Sequence, residues 1–250
     1  HKTDYELLDQ ESGIILAALE AAYKMKKYAE LVRGVSAFAS FLLLRGNYEL
    51  AEHHVQRAYE AAMMQGDRHS ITNALLYKGE IASRQGNYEQ AENSFKEGLS
   101  IAHQIDAPDQ ICALLKDLGW MTWKQGNYEQ AETYLREGLT IARQHEYIER
   151  TSALLNVLGS LMASKGNYPQ SVAYMEEGLG LARQSGDREQ ICGLLLNLGV
   201  TVAEQGHDAQ AETYLLEGLA IARQIRHQEW TIVLLLNMGE MSVDQGNFAN

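Results

Sequence analysis

The chain has 250 residues, of which 46% are hydrophobic and two are proline, and its formal net charge is −12. That hydrophobic content suffices for a packed interior, and so few prolines favour helix throughout, because proline breaks helix interiors. The acidic balance argues against a nucleic-acid duplex or an anionic membrane as partner, since both require a basic surface.

A three-residue motif, Gly-Asn-Tyr, recurs every forty residues. It occupies residues 46–48, 86–88, 126–128 and 166–168, and related triplets follow in the same register at 206–208 and 246–248. A fixed period in this range is typical of a solenoid, in which each unit buries its apolar face only against its neighbours. The repeat therefore predicts a single all-α domain over residues 1–250.

The elements follow from this register in chain order. Residues 4–26 are predicted to be a degenerate second helix, because Glu20-Ala21-Ala22 aligns with Glu60-Ala61-Ala62. Complete helix pairs are expected to start near residues 29, 69, 109, 149 and 189, with a partial pair over 229–250. Since the chain starts at His1 and ends early in a predicted helix, we expect it to be a fragment of a longer protein.

One repeat, residues 109–148, illustrates the local signals. Asp109 is a candidate N-cap for a helix to about Gln125, and Gly126 suits the positive φ at a helix end. Asn127 with Gln130 then predicts a near capping box for the second helix. Inside that helix a glycine recurs in the triplet Glu-Gly-Leu, at positions 98, 138, 178 and 218. Glycine costs about 1 kcal/mol there relative to alanine, so we expect a partner helix to approach closely.

Two cysteines, Cys112 and Cys192, occupy the same position two repeats apart. Stacked helix pairs would separate them by about 20 Å, whereas a disulfide requires Cα atoms within about 7 Å. We predict free, buried thiols in a reducing compartment. The sequence has no signal peptide and no run of about 20 apolar residues, so a cytoplasmic protein without membrane partners is expected.

The repeat resembles the tetratricopeptide repeat family in its long, 40-residue form. The residues that carry the resemblance are Leu118-Gly119, Gly126, Ala131, Leu135 and Gly138. Lys78 and Ser171 depart from the pattern, and the family's late proline is absent. The resemblance implies a right-handed superhelical solenoid of antiparallel helix pairs whose first helices line a concave face. The amino-acid sequence of the repeats is most similar to that of bacterial MalT-like arrays, which often form the sensor part of STAND-type signalling NTPases.

If first helices line the groove, the candidate ligand-binding positions are those outside the buried stripe. They are the two residues before each Leu-Gly pair and the first, fourth and fifth residues after its glycine. In the first unit this rule selects Ser36, Ala37, Ser40, Leu43 and Leu44. Its selections in the later units include Ser160, Ala163, Ser164, Val200 and Glu204. The candidate ligand contacts chosen from the later units are Tyr77, Glu80, Arg84, Lys116, Asp117, Trp120, Trp123, Lys124, Asn156, Asn197, Asn237 and Glu240.

Two groups within this set depart from the repeat. Trp120 and Trp123 lie three residues apart on one helix face, and tryptophan is enriched at binding hot spots; the alternative is that both indoles pack against adjacent helices. Asn197 and Asn237 precede their Leu-Gly and Met-Gly pairs. In similar peptide-binding arrays an asparagine at this position binds the ligand backbone, which an amide can do as donor and acceptor. A purely structural role is the alternative for these too.

The sequence contains no recognisable catalytic motif, cofactor motif or metal-binding motif. His53 and His54 are adjacent, so their side chains leave a helix about 100° apart and are not expected to share a metal. We expect a non-enzymatic recognition module, the sensor part of a bacterial signalling protein, that binds a peptide, a protein or a small molecule. A free-standing protein interaction scaffold and a regulatory segment of an enzyme whose catalytic domain lies outside this chain are the alternatives. The oligomeric state is left open.

Overall fold

A computed structural model describes the backbone of residues 5–244 and the side chains of residues 7–241. Over this range the chain is all-α and contains no strand. Its helices are α1 Tyr5–Lys24, α2 Tyr28–Leu44, α3 Tyr48–Gln65, α4 Arg68–Arg84, α5 Tyr88–Gln104, α6 Pro108–Lys124, α7 Tyr128–Gln144, α8 Ile148–Ser164, α9 Tyr168–Ser185, α10 Arg188–Ala203, α11 Asp208–Gln224 and α12 Gln228–Asp244. The predicted all-α, repeating fold is confirmed, and the stub expected after residue 245 lies outside the described residues.

The chain divides into two compact units between Met121 and Thr122, within α6. In the first unit, α1 packs on α2, α2 on α3, α3 on α4 and α4 on α5. The first helices α2 and α4 also touch. The core of this unit contains Leu31, Phe38, Val55 and Leu75, all nearly inaccessible to solvent. The prediction of one continuous domain stays a prediction.

In the second unit, each helix from α7 to α12 packs on its neighbour in the chain. The first helices also form a layer of their own, because α10 contacts both α8 and α12. Leu155, Leu195 and Leu215 are buried at the helix interfaces. This arrangement leaves the remaining surface of α8 and α10 available to form a site.

The turns inside the repeats follow the local prediction. Gly126 adopts φ of +84° and Gly166 +74°, the left-handed conformation that glycine enters without steric cost. The side chains of Asn127 and Asn167 then accept hydrogen bonds from the backbone N–H three residues on, as an N-cap does. The expected cap at Asp109 is wrong, because α6 begins one residue earlier, at Pro108, and places Asp109 in its first turn.

The glycines of the Glu-Gly-Leu triplets lie where another helix comes close. A Cβ built on Gly98 would lie 3.1 Å from Leu114 Cδ2, and one on Gly218 would lie 3.1 Å from Leu234 Cδ2. Both distances are tighter than ordinary van der Waals contact. The close approach predicted from the repeated cost of glycine in a helix is therefore present at these positions.

Both cysteines are buried and free, as predicted. Cys192 donates a weak hydrogen bond to the carbonyl of Gly218 at 3.6 Å. Burial, together with nearby Glu189 and Asp187, raises the pKa of its thiol to about 12. Among the described residues, no helix has the length and apolar character needed to span a lipid bilayer.

Candidate functional site

A pocket of about 420 Å³ opens on the second unit, between the first helices α8 and α10. It is lined by Trp123, Ser160, Ala163, Ser164, Tyr168, Met175, Asn197, Val200, Thr201 and Glu204. Most of these side chains are polar but uncharged or small and apolar. The pocket can therefore accept a ligand that offers both hydrogen-bonding groups and an apolar side chain.

Trp123 forms one wall of this pocket. Its indole N–H donates a hydrogen bond to Ser164 Oγ at 3.2 Å, and Ser164 in turn donates to the carbonyl of Ser160. The ammonium group of Lys124 lies 4.5 Å from the centre of the indole ring. These contacts hold a partly exposed aromatic surface in a defined orientation, which is the geometry of a binding anchor.

An amide pair lies across α8 and α10. Asn197 Nδ2 donates to Asn156 Oδ1 at 2.8 Å, and both side chains are partly exposed. The two side-chain amides form no other hydrogen bond within the part of the chain that the structure describes. Asn197 Oδ1 and Asn156 Nδ2 are thus an acceptor and a donor left for a ligand.

The other candidates in this unit behave differently. Asn237 donates to the carbonyl of Val233 on its own helix at 2.8 Å, so one of its two amide N–H groups is already used. Glu240 is exposed on α12, and neither residue lines the pocket. Their role in ligand binding stays a prediction.

In the first unit, the candidates lie on α4 and α6. Tyr77 donates its hydroxyl to the carbonyl of Ser36 at 3.1 Å, which ties α4 to α2. Lys116 pairs with Asp117 at 2.8 Å. The side chain of Trp120 is 37% exposed, so this indole is accessible to solvent. Glu80 is partly buried and Arg84 is exposed.

Leu43 is an incorrect groove candidate. The structure leaves it 3% exposed, inside the hydrophobic cluster of the first unit. An apolar side chain gains free energy by leaving water, and Leu43 has the other members of that cluster to pack against.

A cluster on α1 and α3 of the first unit was not predicted from the sequence. The rings of His53 and His54 have centroids 5.1 Å apart, so a departure about 100° apart from the helix still leaves the two rings close together. The two side chains turn towards each other and towards Glu20 of α1. His53 also lines a pocket of about 450 Å³ with Arg57, Glu60 and Lys78 among its other walls.

The pocket of the second unit also contains residues that the groove rule did not select. Tyr168 and Met175 belong to the second helix α9, and Thr201 belongs to the stripe that is mostly buried. A rule that assigns the groove to first helices alone cannot find them. Larger side chains near the start of the second helices would have been the sequence signal that these helices also reach the pocket.

The tetratricopeptide repeat family matches residues 35–104, 70–144 and 149–224 of the chain. These segments cover more than half of it and include every helix that lines the pocket. No curated protein matches the chain significantly.

Solved structures with a similar fold include NprR in complex with its cognate peptide NprX, with a TM-score of 0.75 and 17% identity over 100% of this chain and 70% of NprR. A Rap protein complexed with competence and sporulation factor has a TM-score of 0.65 and 13% identity over 96% of this chain and 73% of its own. A Signal Transduction ATPase with Numerous Domains from Pyrococcus horikoshii, with a tetratricopeptide repeat sensor, has a TM-score of 0.68 and 16% identity. This chain covers 35% of that ATPase, and 93% of this chain is aligned. At these identities the likeness is one of fold.

Proposed function

Because the chain belongs to the tetratricopeptide repeat family, we propose that it is a non-catalytic recognition module that binds an extended peptide segment. The observation that carries this proposal is the pocket between α8 and α10, which Trp123 and Asn197 line and in which Asn197 is held by a hydrogen bond to the neighbouring Asn156. The fold is generally that of a binding scaffold, and among its structural neighbours NprR is solved with its cognate peptide and a Rap protein with competence and sporulation factor.

The amide pair accounts for the peptide backbone in this proposal. An extended peptide unit offers one N–H and one C=O, which match the acceptor of Asn197 and the donor of Asn156. Main-chain hydrogen bonds of this kind do not depend on the amino-acid sequence of the peptide. Specificity must then come from the side chains that enter the pocket.

The rest of the pocket selects an apolar side chain. Trp123, Ala163 and the partly exposed Val200 provide an apolar patch, and Ser160 and Ser164 surround it with neutral polar groups. An aliphatic or aromatic residue of the ligand would bury its surface there at about 25 cal/mol per Å². In the first unit the proposal extends to Tyr77, Glu80, Arg84, Lys116, Asp117 and Trp120 as ligand contacts. In the second unit it extends to Lys124, Asn237 and Glu240.

We also propose a biological setting. The chain would act in the cytoplasm as the sensor part of a larger signalling protein, which is supported by its likeness to the repeat sensor of the Pyrococcus ATPase. Two free, buried cysteines fit a reducing compartment. Sequencing the complete gene tests this setting, because an adjoining nucleotide-binding domain is expected, and its absence would favour a free-standing scaffold.

The binding proposal is tested with an array of short peptides probed with the purified chain. Peptides that bind are then titrated by fluorescence anisotropy against Asn197→Ala and Trp123→Ala. We expect each substitution to weaken binding about tenfold or more, since one hydrogen bond or anchor contact is worth about 1.4 kcal/mol. Asn93→Ala, an exposed asparagine on the second helix α5, is the matched control and should bind as the wild type does.

Two results would contradict the proposal. One is an array in which no peptide binds. The other is a set of bound peptides whose affinity is unchanged by both pocket substitutions, which would place the recognition surface elsewhere on the molecule.

A further inference from the structure

Three side chains of the first unit converge on one point at the surface of its second helices. They are Glu20 on α1 and the adjacent His53 and His54 on α3, and one ligand atom from each lies within 4.8 Å of the others. Glu20 Oε1 and His53 Nε2 are 3.2 Å apart. We propose that this cluster is a binding site for a divalent transition-metal ion of the zinc class.

The buried histidine supplies an independent reason for a ligand. His54 is 3% exposed, and its Nδ1 atom is buried without a hydrogen-bond partner in the described structure. Buried polar atoms in native proteins are nearly always satisfied, so an orphan ring nitrogen calls for an explanation.

The repeat does not require histidine at these two positions. The equivalent residues on the following second helices are Asn93-Ser94, Thr133-Tyr134, Ala173-Tyr174 and Thr213-Tyr214. The fold therefore forms without an imidazole at either position. Two consecutive histidines on α3, facing a glutamate on α1, therefore depart from the repeat pattern, and the packing of the repeats does not require them.

The ligand set selects the class of ion. Two imidazoles and one carboxylate are a common zinc set and leave a fourth position open, while magnesium and calcium prefer oxygen ligands alone. With metal–ligand bonds of about 2.0–2.1 Å, ligand atoms of a tetrahedral site lie about 3.3 Å apart. Glu20 and His53 already have that spacing. Both side chains are partly exposed and can adjust towards His54, which is held by its burial.

Arg57 is the group that opposes the ion. Its guanidinium pairs with Glu20 and stacks 4.2 Å from the centre of the Tyr23 ring. A metal must displace Arg57 from the carboxylate, while the contact with Tyr23 can keep the arginine in place. The site is therefore expected to bind its ion more weakly than it would without this arginine.

The test uses the complete 250-residue chain after treatment with a chelator, titrated with zinc chloride by isothermal calorimetry. We expect one saturable equivalent whose affinity falls at least tenfold in Glu20→Gln, His53→Asn and His54→Ser. The histidine substitutions introduce the residues that α5 has at the equivalent positions, Asn93 and Ser94, so the fold should tolerate them. Circular dichroism of each variant checks this. Arg57→Gln should bind zinc several-fold more tightly.

The matched control is His103→Asn, which removes an exposed histidine from α5 and should leave the zinc affinity unchanged. A wild-type chain that shows no saturable zinc binding would overturn the proposal. So would folded histidine variants that bind zinc as tightly as the wild type, or an Arg57→Gln variant that binds it more weakly.

Discussion

Asn197 on α10 and Asn156 on α8, 41 residues apart in the chain, are joined by a hydrogen bond of 2.8 Å between their side-chain amides. The bond links two neighbouring first helices, and Asn197 also lines the pocket. It orients both amides, and oriented groups lose less entropy when a ligand binds. The pair thus contributes to packing and prepares the proposed site at the same time.

This pair should be visible in stability measurements without any ligand. Asn156→Ala and Asn197→Ala are each expected to lower the free energy of unfolding by about 0.5–1.5 kcal/mol, the usual net value of a hydrogen bond. The double substitution should cost less than the sum, because either single change already breaks the bond. Urea denaturation of the four proteins measures this, and additive losses would show that the amides do not interact in solution.

Substituting the two tryptophans of α6 by alanine should change the stability by different amounts. Trp120 is accessible to solvent, so its emission should be that of a water-exposed indole, and Trp120→Ala should barely change the stability. Trp123 is partly buried, and Trp123→Ala is expected to cost about 1–2 kcal/mol, less than the 3–5 kcal/mol of a core aromatic residue. Fluorescence spectra and denaturation curves of both variants test this. A loss of several kcal/mol for Trp120→Ala would indicate packing instead of binding.

Two glycines inside helices of the second unit should respond in opposite directions to substitution by alanine. A Cβ on Gly199 would lie 2.8 Å from Leu215 Cγ, which is too close, whereas a Cβ on Gly180 has no heavy atom within 4 Å. Gly199→Ala should destabilise the chain by about 1–3 kcal/mol through overpacking. Gly180→Ala should stabilise it by up to about 1 kcal/mol through helix propensity. Thermal unfolding of both variants measures the signs, and equal signs would contradict the packing described for α10 and α11.

Acidification should weaken the second unit through Glu132. Hydrogen bonds from Lys165 and, secondarily, Arg136 hold the pKa of this carboxyl below its usual value despite partial burial. A carboxyl whose pKa is lower in the folded state contributes its stability above the unfolded pKa and loses it as the pH falls through the folded value. The contribution should therefore be complete at pH 7 and decline as the pH falls below the unfolded pKa of about 4.3.

The measurement compares urea midpoints at pH 7 and pH 3. Glu132→Gln should lower the midpoint at pH 7 and lower it less at pH 3. Glu129→Gln is the control, since the carboxylate of Glu129 forms no ion pair with a described residue. An equal effect of Glu132→Gln at both pH values would exclude an electrostatic origin.

Much of the fold was predictable because its signals are local. The helix starts near residues 29, 69, 109, 149, 189 and 229 were each expected within one residue of their observed positions. The turn at Gly126 follows from a backbone conformation that glycine adopts easily. The candidate site was predictable only in part. Trp123, Ser160, Ser164 and Asn197 follow from the register of the first helices, but Tyr168 and Met175 reach the pocket from another helix.

The sequence by itself determined the period, the helix bounds, the turns and the positions where glycine admits a neighbouring helix, since these depend on residues close together in the chain. Only the tertiary structure decided which side chains meet across repeats. It paired Asn197 with Asn156, buried Leu43, and brought His54 to Glu20. The two contacts join residues 41 and 34 positions apart, and they depend on side-chain rotamers that a repeating pattern leaves free.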